Sequence, residues 1–327
     1  MKPAYNPYLS IVIPSYNRAD FLDRSLAVHV PMAQRHNVQI FISNNASTDN
    51  TQDVVDKWKS TYGLINCLNN NTTVSPDENF EKALKAPDTQ YVWLLGDTSQ
   101  IPEHGIESIL NLESREQTYD AIIVNLIKKN QTPSTDYDNP DLLLTELGGI
   151  MSCMSCLIYS KTLITSADFS RYIGSYFMQT GVILERAAQA DSLIRWEQGI
   201  SIQSLESKGL LKKSWAHTPK IFEIGVEKWV NFIFSLSPRY QLNSKLLACK
   251  SFGKVSGAFS VKGLLSLRAR GLLSYSVCRQ FKHALKLSID YPWGIVILIS
   301  LIPQFFLNAT LKMYLLIFRR HSIEHDH

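Results

Sequence analysis

The sequence predicts an α/β fold in which helices cover both faces of a mostly parallel sheet. Short apolar runs rich in branched residues alternate with longer segments whose apolar residues recur at helical spacing, as in βα units. The chain has 327 residues, 45% apolar and 19% charged, which is typical of a globular protein. Its length allows one large domain or two smaller ones.

The predicted strands are short, apolar and bounded by turn residues: Leu9–Pro14, Val38–Ile42, Ile65–Leu68, Tyr91–Leu95, Ala121–Asn125 and Leu157–Ser160. The predicted helices between them carry an apolar stripe and lie within 15–35 and at Thr51–Tyr62, Glu78–Ala86 and Pro102–Leu112. Residues 128–141 are polar and predict a loop, and helical segments follow from about Phe169. "GGIMSCMSCLIYS", which holds Cys153 and Cys156, is interpreted as buried strand.

Charge is distributed unevenly along the chain. Residues 1–227 hold 19 Lys and Arg against 26 Asp and Glu, whereas residues 228–289 hold 11 Lys and Arg and no acid. We therefore expect a first domain over 1–227, with halves at about 8–125 and 126–227, and a helical, basic region over 228–327. Five cysteines over such a length do not form a disulfide framework and favour a reducing compartment.

The basic region continues into a strongly apolar segment. Residues 291–311 carry no charge over 21 residues, which is long enough to span a bilayer. Pro303, Gln304 and Asn308 interrupt the segment, and cations on both sides place both flanks in the cytosol by the positive-inside rule. This pattern favours surface or re-entrant attachment to an anionic membrane over a true span, a buried helix or nucleic-acid binding.

Three motifs follow predicted strands: "PSYN" at 14–17, "SNNASTD" at 43–49 and "LLGDTS" at 94–99. Together they resemble the nucleotide-binding half of family 2 glycosyltransferases, which have the GT-A (Rossmann-like) fold. Among these the chain is most similar to bacterial O-antigen transferases of the abequosyltransferase type. The resemblance covers about residues 8–125 closely and extends loosely to about residue 220.

The resemblance implies a nucleotide site formed by Pro14, Tyr16, Asn17, Arg18, Asn44, Asn45, Asn79 and Asp97. Asp97 matches the family aspartate that holds the divalent cation, Mg²⁺ or Mn²⁺, bridging the diphosphate. Thr98 and Ser99 stand where relatives have carboxylates, which predicts weak metal binding. The structural alternative for Asp97 is a turn or helix-cap residue.

Asn45 matches a position where many relatives place a carboxylate against the base. A carboxylate suits the ring N–H of uracil, thymine or guanine, whereas N3 of cytosine is an acceptor that needs a donor. An amide can donate, so Asn45 favours a CDP-sugar. Asx-turn chemistry before a helix is the alternative interpretation of Asn44 and Asn45.

The catalytic base and the diphosphate contacts are less defined. Inverting relatives use an acid of the acceptor half, and Gln179 stands where that acid is expected. Glu185 and Asp191 are the nearest carboxylates, unless they face solvent, and Asp168 is a weaker candidate. Candidate diphosphate or acceptor residues are Arg186, Lys212, Lys213, Trp215 and His217.

The resemblance implies an enzyme that moves a (di)deoxyhexose, such as abequose from CDP-abequose, onto a polyprenyl-linked O-antigen oligosaccharide. The expected location is the cytoplasmic face of the bacterial inner membrane, and the oligomeric state is left open. One alternative is a UDP- or GDP-hexose transferase. Another is a catalytically silent nucleotide- or sugar-binding partner in a membrane assembly, because the acidic loop is depleted and the base is missing.

Overall fold

The structure is a computed structural model that describes residues 5–115, 117–205 and 215–307. The chain divides into two compact units. The first unit comprises Met1–Lys212 with Phe234–Lys245, and the second comprises Lys213–Ile233 with Leu246–His327. The first unit thus includes a short segment beyond the boundary expected at residue 227, and the second begins before that boundary.

The strands of the first unit are β1 (Leu9–Ser15), β2 (Gln39–Asn44), β3 (Ile65–Asn69), β4 (Tyr91–Leu94), β5 (Ser99–Gln100), β6 (Ala121–Leu126), β7 (Thr135–Tyr137), β8 (Leu157–Ser160) and β9 (Ile194–Ser204). Its helices are α1 (Ala19–Arg35), α2 (Thr51–Thr61), α3 (Pro76–Lys85), α4 (Gly105–Leu110), α5 (Pro140–Met151), α6 (Lys161–Ser166) and α7 (Met178–Ala187). Single 3-10 turns occur at Asn111–Ser114, Met154–Cys156 and Phe169–Tyr172.

The strands form one sheet in the order β3-β2-β1-β4-β8-β6-β9-β5, and β7 also pairs with β9. Strands β3, β2, β1 and β4 are parallel neighbours. Strand β8 is antiparallel to both β4 and β6, and β6 and β9 are parallel neighbours. The mostly parallel α/β sheet predicted from the sequence is thus confirmed. The chain order reverses between β1 and β4, and in open α/β sheets ligands bind at the carboxyl ends of strands at such a point.

Three segments differ from the sequence predictions. The stretch interpreted as strand before Leu157 is the end of α5 followed by the 3-10 turn Met154–Cys156. The predicted loop at 128–141 contains β7. The 11-residue strand β9 was missed. Ile194, Trp196, Ile200 and Ile202 are buried along it, but the polar stretch 197–199, where the register with β6 shifts, interrupts their alternation. Arg195 is buried with two carboxylate partners, Asp136 and Glu197.

The second unit is helical in its described part, 215–233 and 246–307. Its elements are α8 (Lys220–Phe222), a π-helical turn (Glu223–Lys228), most of α9 (Trp229–Ser235) and of α10 (Leu242–Ser256), α11 (Val261–Ala269), α12 (Tyr275–Gln280), α13 (Lys282–Ser288) and α14 (Trp293–Leu301). Aromatic rings form its core: Phe222 contacts Phe259 and Phe281, and Phe252 contacts Trp229 and Phe259.

No helix within the described ranges has by itself the length and hydropathy of a membrane span. Helices α13 and α14 meet that criterion only as a pair, and the pair is bent by 116° at its break.

His29 joins α1 to the segment after β5 inside the first unit. Its Nε2 accepts a hydrogen bond from the Ile101 N–H at 3.1 Å, so its proton is on Nδ1, which donates to the Ser25 carbonyl at 2.7 Å. The ring is fully buried. Burial lowers the pKa of His29 to about 4, and the bond to the Ser25 carbonyl opposes this shift only in part.

We predict that His29 makes stability depend on pH between about 6.5 and 4. The unfolded chain binds the proton in this window and the folded chain does not, so stability is complete above pH 6.5 and falls as the pH is lowered. The loss amounts to about 3 kcal/mol. In urea titrations at several pH values, His29→Gln should flatten this slope, whereas His104→Gln, at an exposed histidine, should keep it. Equal slopes in all three proteins would contradict the prediction.

Candidate functional site

Hydrogen bonds join the loop after β1 to the loop after β2. Asn17 donates its N–H to the Ser47 hydroxyl at 3.0 Å, and its side-chain oxygen accepts the Thr48 N–H at 2.7 Å. Asn17 and Ala46 both have left-handed backbones, with φ of 50° and 54°. Non-glycine residues adopt this conformation at a cost that surrounding contacts must offset. The two loops therefore form one rigid unit at the carboxyl edge of the sheet.

Asp49 completes this connection from the end of the second motif. Its carboxylate accepts the N–H groups of Ala19, at the start of α1, and of Thr51, at the start of α2, at 2.9 and 3.1 Å. Burial raises its pKa, but the bonds from the Thr51 hydroxyl and from these N–H groups outweigh that effect and leave the pKa below its usual value. Asp49 thus caps two helices and has a structural role.

Asn45 is bound to the backbone of Val74. Its side-chain oxygen accepts the Val74 N–H at 2.9 Å, and its amide nitrogen donates to the Val74 carbonyl at 2.9 Å. The Val74 N–H can only donate and the carbonyl can only accept, so the amide orientation is fixed. A carboxylate at position 45 would face the Val74 carbonyl without a hydrogen. The structure thus supplies a local reason for an amide at this position, and one amide N–H remains beyond the bond to Val74.

Asn44 and Asn79 also hold neighbouring backbone and side chains. The Asn44 side-chain oxygen accepts the Ser47 N–H at 3.1 Å, which is the turn chemistry considered as an alternative. Asn79, on α3, accepts a bond from the Ser43 hydroxyl at 2.8 Å and donates to the Ser43 carbonyl. Helix α3 itself begins at a capping box formed by Ser75 and Glu78.

A cavity of about 440 Å³ opens where these loops meet the end of β4. Six of the eight residues predicted for the nucleotide site line it, namely Pro14, Tyr16, Arg18, Asn45, Asn79 and Asp97. Asn17 and Asn44 do not line it and act through the loops. The sequence analysis missed seven further lining residues with no charge: Ser15, Thr73, Val74, Pro76, Phe80, Gly96 and Met154.

Two hydrogen-bond donors of the cavity lining are buried without a hydrogen-bond partner within the described chain. They are the Ser15 hydroxyl and the Nε–H of Arg18. Buried polar groups nearly always have partners, so unpaired donors in a cavity point to a ligand that accepts hydrogen bonds. Tyr16 lies beside them with 46% of its surface exposed, so its ring is accessible for stacking.

Asp97 lies in the loop after β4 and is buried, with 6% of its surface exposed. Its Oδ2 is 3.0 Å from Nε of Arg18, although the N–H is not directed along a hydrogen bond. Among the described residues that line this cavity, Asp97 is the only carboxylate.

Ser99, where relatives have a carboxylate, is not available to the cavity. Its hydroxyl accepts a bond from the Ser155 hydroxyl at 2.8 Å, and Ser155 also accepts the Gly96 N–H at 3.0 Å. The 3-10 turn Met154–Cys156 therefore braces the Asp97 loop.

The fit of a divalent cation is limited. No group of three or more His, Cys, Asp and Glu side chains that could hold a metal occurs among the described residues. One carboxylate suits a cation that takes its remaining ligands from a diphosphate and water, as Mg²⁺ commonly does.

Glu185 and Asp191 lie elsewhere. With Arg186 and Asp168 they line a separate cavity of about 490 Å³. Glu185 accepts bonds from the Tyr172 hydroxyl and the Ser237 N–H, and Asp191 pairs with Arg186 at 2.7 Å. The geometry therefore does not support either as the catalytic base.

Arg186 likewise does not line the donor cavity. Its Nε pairs with Asp120 at 2.8 Å and its Nη1 with Asp191, and these pairs raise its pKa further above the usual range. The expectation that it reaches a diphosphate is not supported, because its guanidinium is already held by two carboxylates.

The remaining candidates are Gln179, Trp215, His217, Lys212 and Lys213. Gln179 is buried, and its side-chain oxygen has no partner in the part of the chain described. Trp215 stacks on Phe252 and His217 lies 3.1 Å from Arg270, all within the second unit. Lys212 and Lys213 lie outside the described residues.

Asp77 is a buried carboxylate that the sequence analysis passed over. It accepts the Gly174 N–H at 2.7 Å and so ties the start of α3 to the loop before α7. Its position after Ser75-Pro76 is that of a first-turn helix residue, which gave no sign of a long-range contact.

We predict that Asn45→Asp lowers the free energy of unfolding by about 1–3 kcal/mol, because the carboxylate cannot donate to the Val74 carbonyl. Asn71→Asp, at an exposed residue of the loop that contains Val74, should change it by less than about 0.5 kcal/mol. Chemical denaturation of the three proteins measures the difference, and equal stabilities would rule out this role of Asn45.

Comparison with known proteins agrees with the fold. Residues 10–162 match the family described as Glycosyl transferase family 2. The abequosyltransferase RfbV of Salmonella typhimurium is 24% identical over 199 residues, which span 54% of this chain and 60% of that protein. The match therefore leaves two fifths of that relative uncovered.

Two solved structures have a similar fold. Residues 1–349 of S. aureus TarS align with a TM-score of 0.52 at 13% identity, covering 88% of this chain and 90% of that one. The mannosyltransferase PcManGT from Pyrobaculum calidifontis, in complex with GDP-Man and Mn²⁺, aligns with a TM-score of 0.54 at 14% identity, covering 96% and 88%. Residues 10–162 therefore correspond to a glycosyl transferase family 2 domain, in agreement with the GT-A-like sheet.

Proposed function

We propose that this protein is a glycosyltransferase that takes a sugar from a nucleoside diphosphate donor for the synthesis of bacterial surface polysaccharide. The observation that carries the proposal is the buried Asp97 at the carboxyl end of β4, in a cavity lined also by Tyr16 and Arg18. The cavity volume of about 440 Å³ suits a ligand of this size.

The chain's own residues have distinct tasks in this proposal. The accessible Tyr16 ring stacks on the base, and the Ser15 hydroxyl and Arg18 guanidinium donate to oxygens of the donor. A divalent cation at Asp97, when bound, neutralises the charge that develops on the leaving nucleoside diphosphate. Because Asp97 is the single carboxylate described there, the protein alone would hold this cation weakly.

We further propose that the donor is a CDP-sugar and that its sugar is a (di)deoxyhexose such as abequose. The remaining amide N–H of Asn45, which lines the cavity, suits the acceptor N3 of cytosine. The relative named an abequosyltransferase supports the sugar class. UDP- and GDP-hexoses are the competing donors.

The acceptor in this proposal is a lipid-linked oligosaccharide at the cytoplasmic face of the inner membrane. Support comes from the second unit, where Leu298, Leu301, Phe305 and Phe306 are exposed at and after α14. Exposed cations occur in the same unit at Lys262, Arg270, Arg279, Lys282 and Lys286. Apolar residues with cations suit attachment to an anionic lipid surface.

A donor screen tests the function. Purified protein is incubated with CDP-, UDP-, GDP- and dTDP-sugars and a lipid-linked oligosaccharide, with Mn²⁺ or EDTA, and glycosylated lipid is measured. We expect product with at least one donor, and fastest turnover with a CDP-sugar. No product with any donor would favour a silent nucleotide- or sugar-binding partner instead.

We predict that Asp97→Asn lowers the transfer rate about 100-fold or more, because a group that stabilises the leaving charge is lost. Asp88→Asn, at an exposed surface aspartate, should retain full activity. Circular dichroism and thermal melting confirm that both variants fold. A folded Asp97→Asn protein with full activity would rule out the role of Asp97.

We also predict that the full chain sediments with vesicles rich in anionic lipid, and less with neutral vesicles or at high salt. Replacing Phe305 and Phe306 together by Asp should weaken binding about tenfold or more, because two apolar rings are lost. Leu142→Asp, at an exposed apolar residue of α5, serves as the control. Unchanged sedimentation of the double variant would exclude these residues from the contact.

A further inference from the structure

Arg18 lines the proposed donor cavity beside Asp97. It occupies the N-cap position of α1, directly after the β1 loop, and its guanidinium carbon is 4.7 Å from the centre of the Phe21 ring. The ring orients the guanidinium, whose Nε is 3.0 Å from the Asp97 carboxylate. About 30% of the Arg18 side chain is exposed, against 8% for Asp97. Of the two side chains, the Arg18 guanidinium is therefore the more accessible to a ligand.

The donors of Arg18 are not used up by this contact. The Nε–H is not directed at a hydrogen-bond acceptor, and no bond from either terminal nitrogen is found within the described part of the chain. Guanidinium groups bind phosphate oxygens through two parallel N–H bonds. Ser15, whose hydroxyl has no hydrogen-bond partner within the described chain, lines the same cavity. The Ser15 hydroxyl and the Arg18 Nε–H are therefore two donors that a ligand could use.

Among the described residues that line the cavity, Arg18 is the only cation and Asp97 the only anion. A divalent cation that approaches Asp97 alone must displace Arg18 and then lie beside a like charge. A diphosphate removes this obstacle, because it attracts the guanidinium away from the carboxylate and brings negative charge for the metal.

We propose that Arg18 is the resident counter-ion of Asp97 and the first group to receive the donor's diphosphate, so that nucleotide and divalent cation bind together. This inference rests on the proposed function. It assigns Arg18 two opposite effects: it lowers affinity for a divalent cation alone and raises affinity for a nucleoside diphosphate. A pair that merely holds the β1 and β4 loops together would not separate these affinities.

The test measures two affinities in Arg18→Gln and in the unaltered full-length protein. Titration calorimetry in EDTA measures binding of CDP, UDP and GDP, and electron paramagnetic resonance measures binding of Mn²⁺ without nucleotide. For Arg18→Gln we expect nucleotide binding about tenfold weaker, from the loss of a charge-assisted bond. We expect Mn²⁺ binding at least about threefold tighter, from the loss of a like charge.

Matched variants sharpen the comparison. Arg18→Lys keeps the positive charge but loses the paired N–H donors of the guanidinium. Its Mn²⁺ affinity should therefore stay low, and its nucleotide affinity should lie between those of the unaltered protein and Arg18→Gln. Arg35→Gln, at an exposed arginine of the same helix, should behave like the unaltered protein. Thermal melting shows whether each variant is folded.

The inference is overturned if both affinities of folded Arg18→Gln are unchanged, if both fall, or if neither protein binds Mn²⁺ detectably. Normal nucleotide binding that does not depend on Arg18 overturns only this inference. Failure of the unaltered protein to bind any of the three nucleotides, even with Mn²⁺, overturns the proposed function and this inference with it.

Discussion

The mutual binding of the β1 and β2 loops is the constraint on which the candidate site depends. Asn17 bonds to Ser47 and Thr48, and Asp49 reaches back to the first N–H of α1. These bonds hold Asn17 and Ala46 in left-handed conformations, each of which costs on the order of 1 kcal/mol or more. The strain is tolerated because several bonds act on the same short segments. As a result, Tyr16 and Arg18 are presented to the cavity from a fixed backbone.

A second layer of polar contacts extends from this core to distant segments. The Asn45 side chain is hydrogen-bonded to Val74, and the Asn79 side chain to Ser43. The Ser155 hydroxyl accepts the N–H of Gly96. Each contact joins residues at least 29 positions apart in the sequence. The cavity walls are thus set by buried amides and hydroxyls, while the charged pair of Arg18 and Asp97 is left within it. Hydrogen-bonded polar walls around the ion pair of Arg18 and Asp97 suit a site that binds a charged ligand.

Much of the fold was predictable because the signals are local. Alternation of apolar runs and helical stripes identified β1 to β4, β6 and β8, and the turn residues after β1, β2 and β4 indicated where the cavity lies. The roles of Asn45 and Asp49 were not predictable, because each depends on a partner whose position is set by tertiary structure. Glu185 looked like a base from its spacing along the chain, yet Tyr172 and Ser237 hold its carboxylate in another cavity. Ser15 gave a signal only as an unpaired hydroxyl, which sequence cannot show.

The turn at Met154 has a consequence for how the chain acquires its ligand. The cavity is lined by residues taken from between positions 14 and 97 together with Met154, and Ser155 braces its Asp97 loop. No fragment that ends before Met154 contains the complete cavity. A ligand stabilises only the folded species that binds it. During synthesis on the ribosome, nucleotide binding in the complete cavity therefore stabilises the sheet only after residue 155 has emerged.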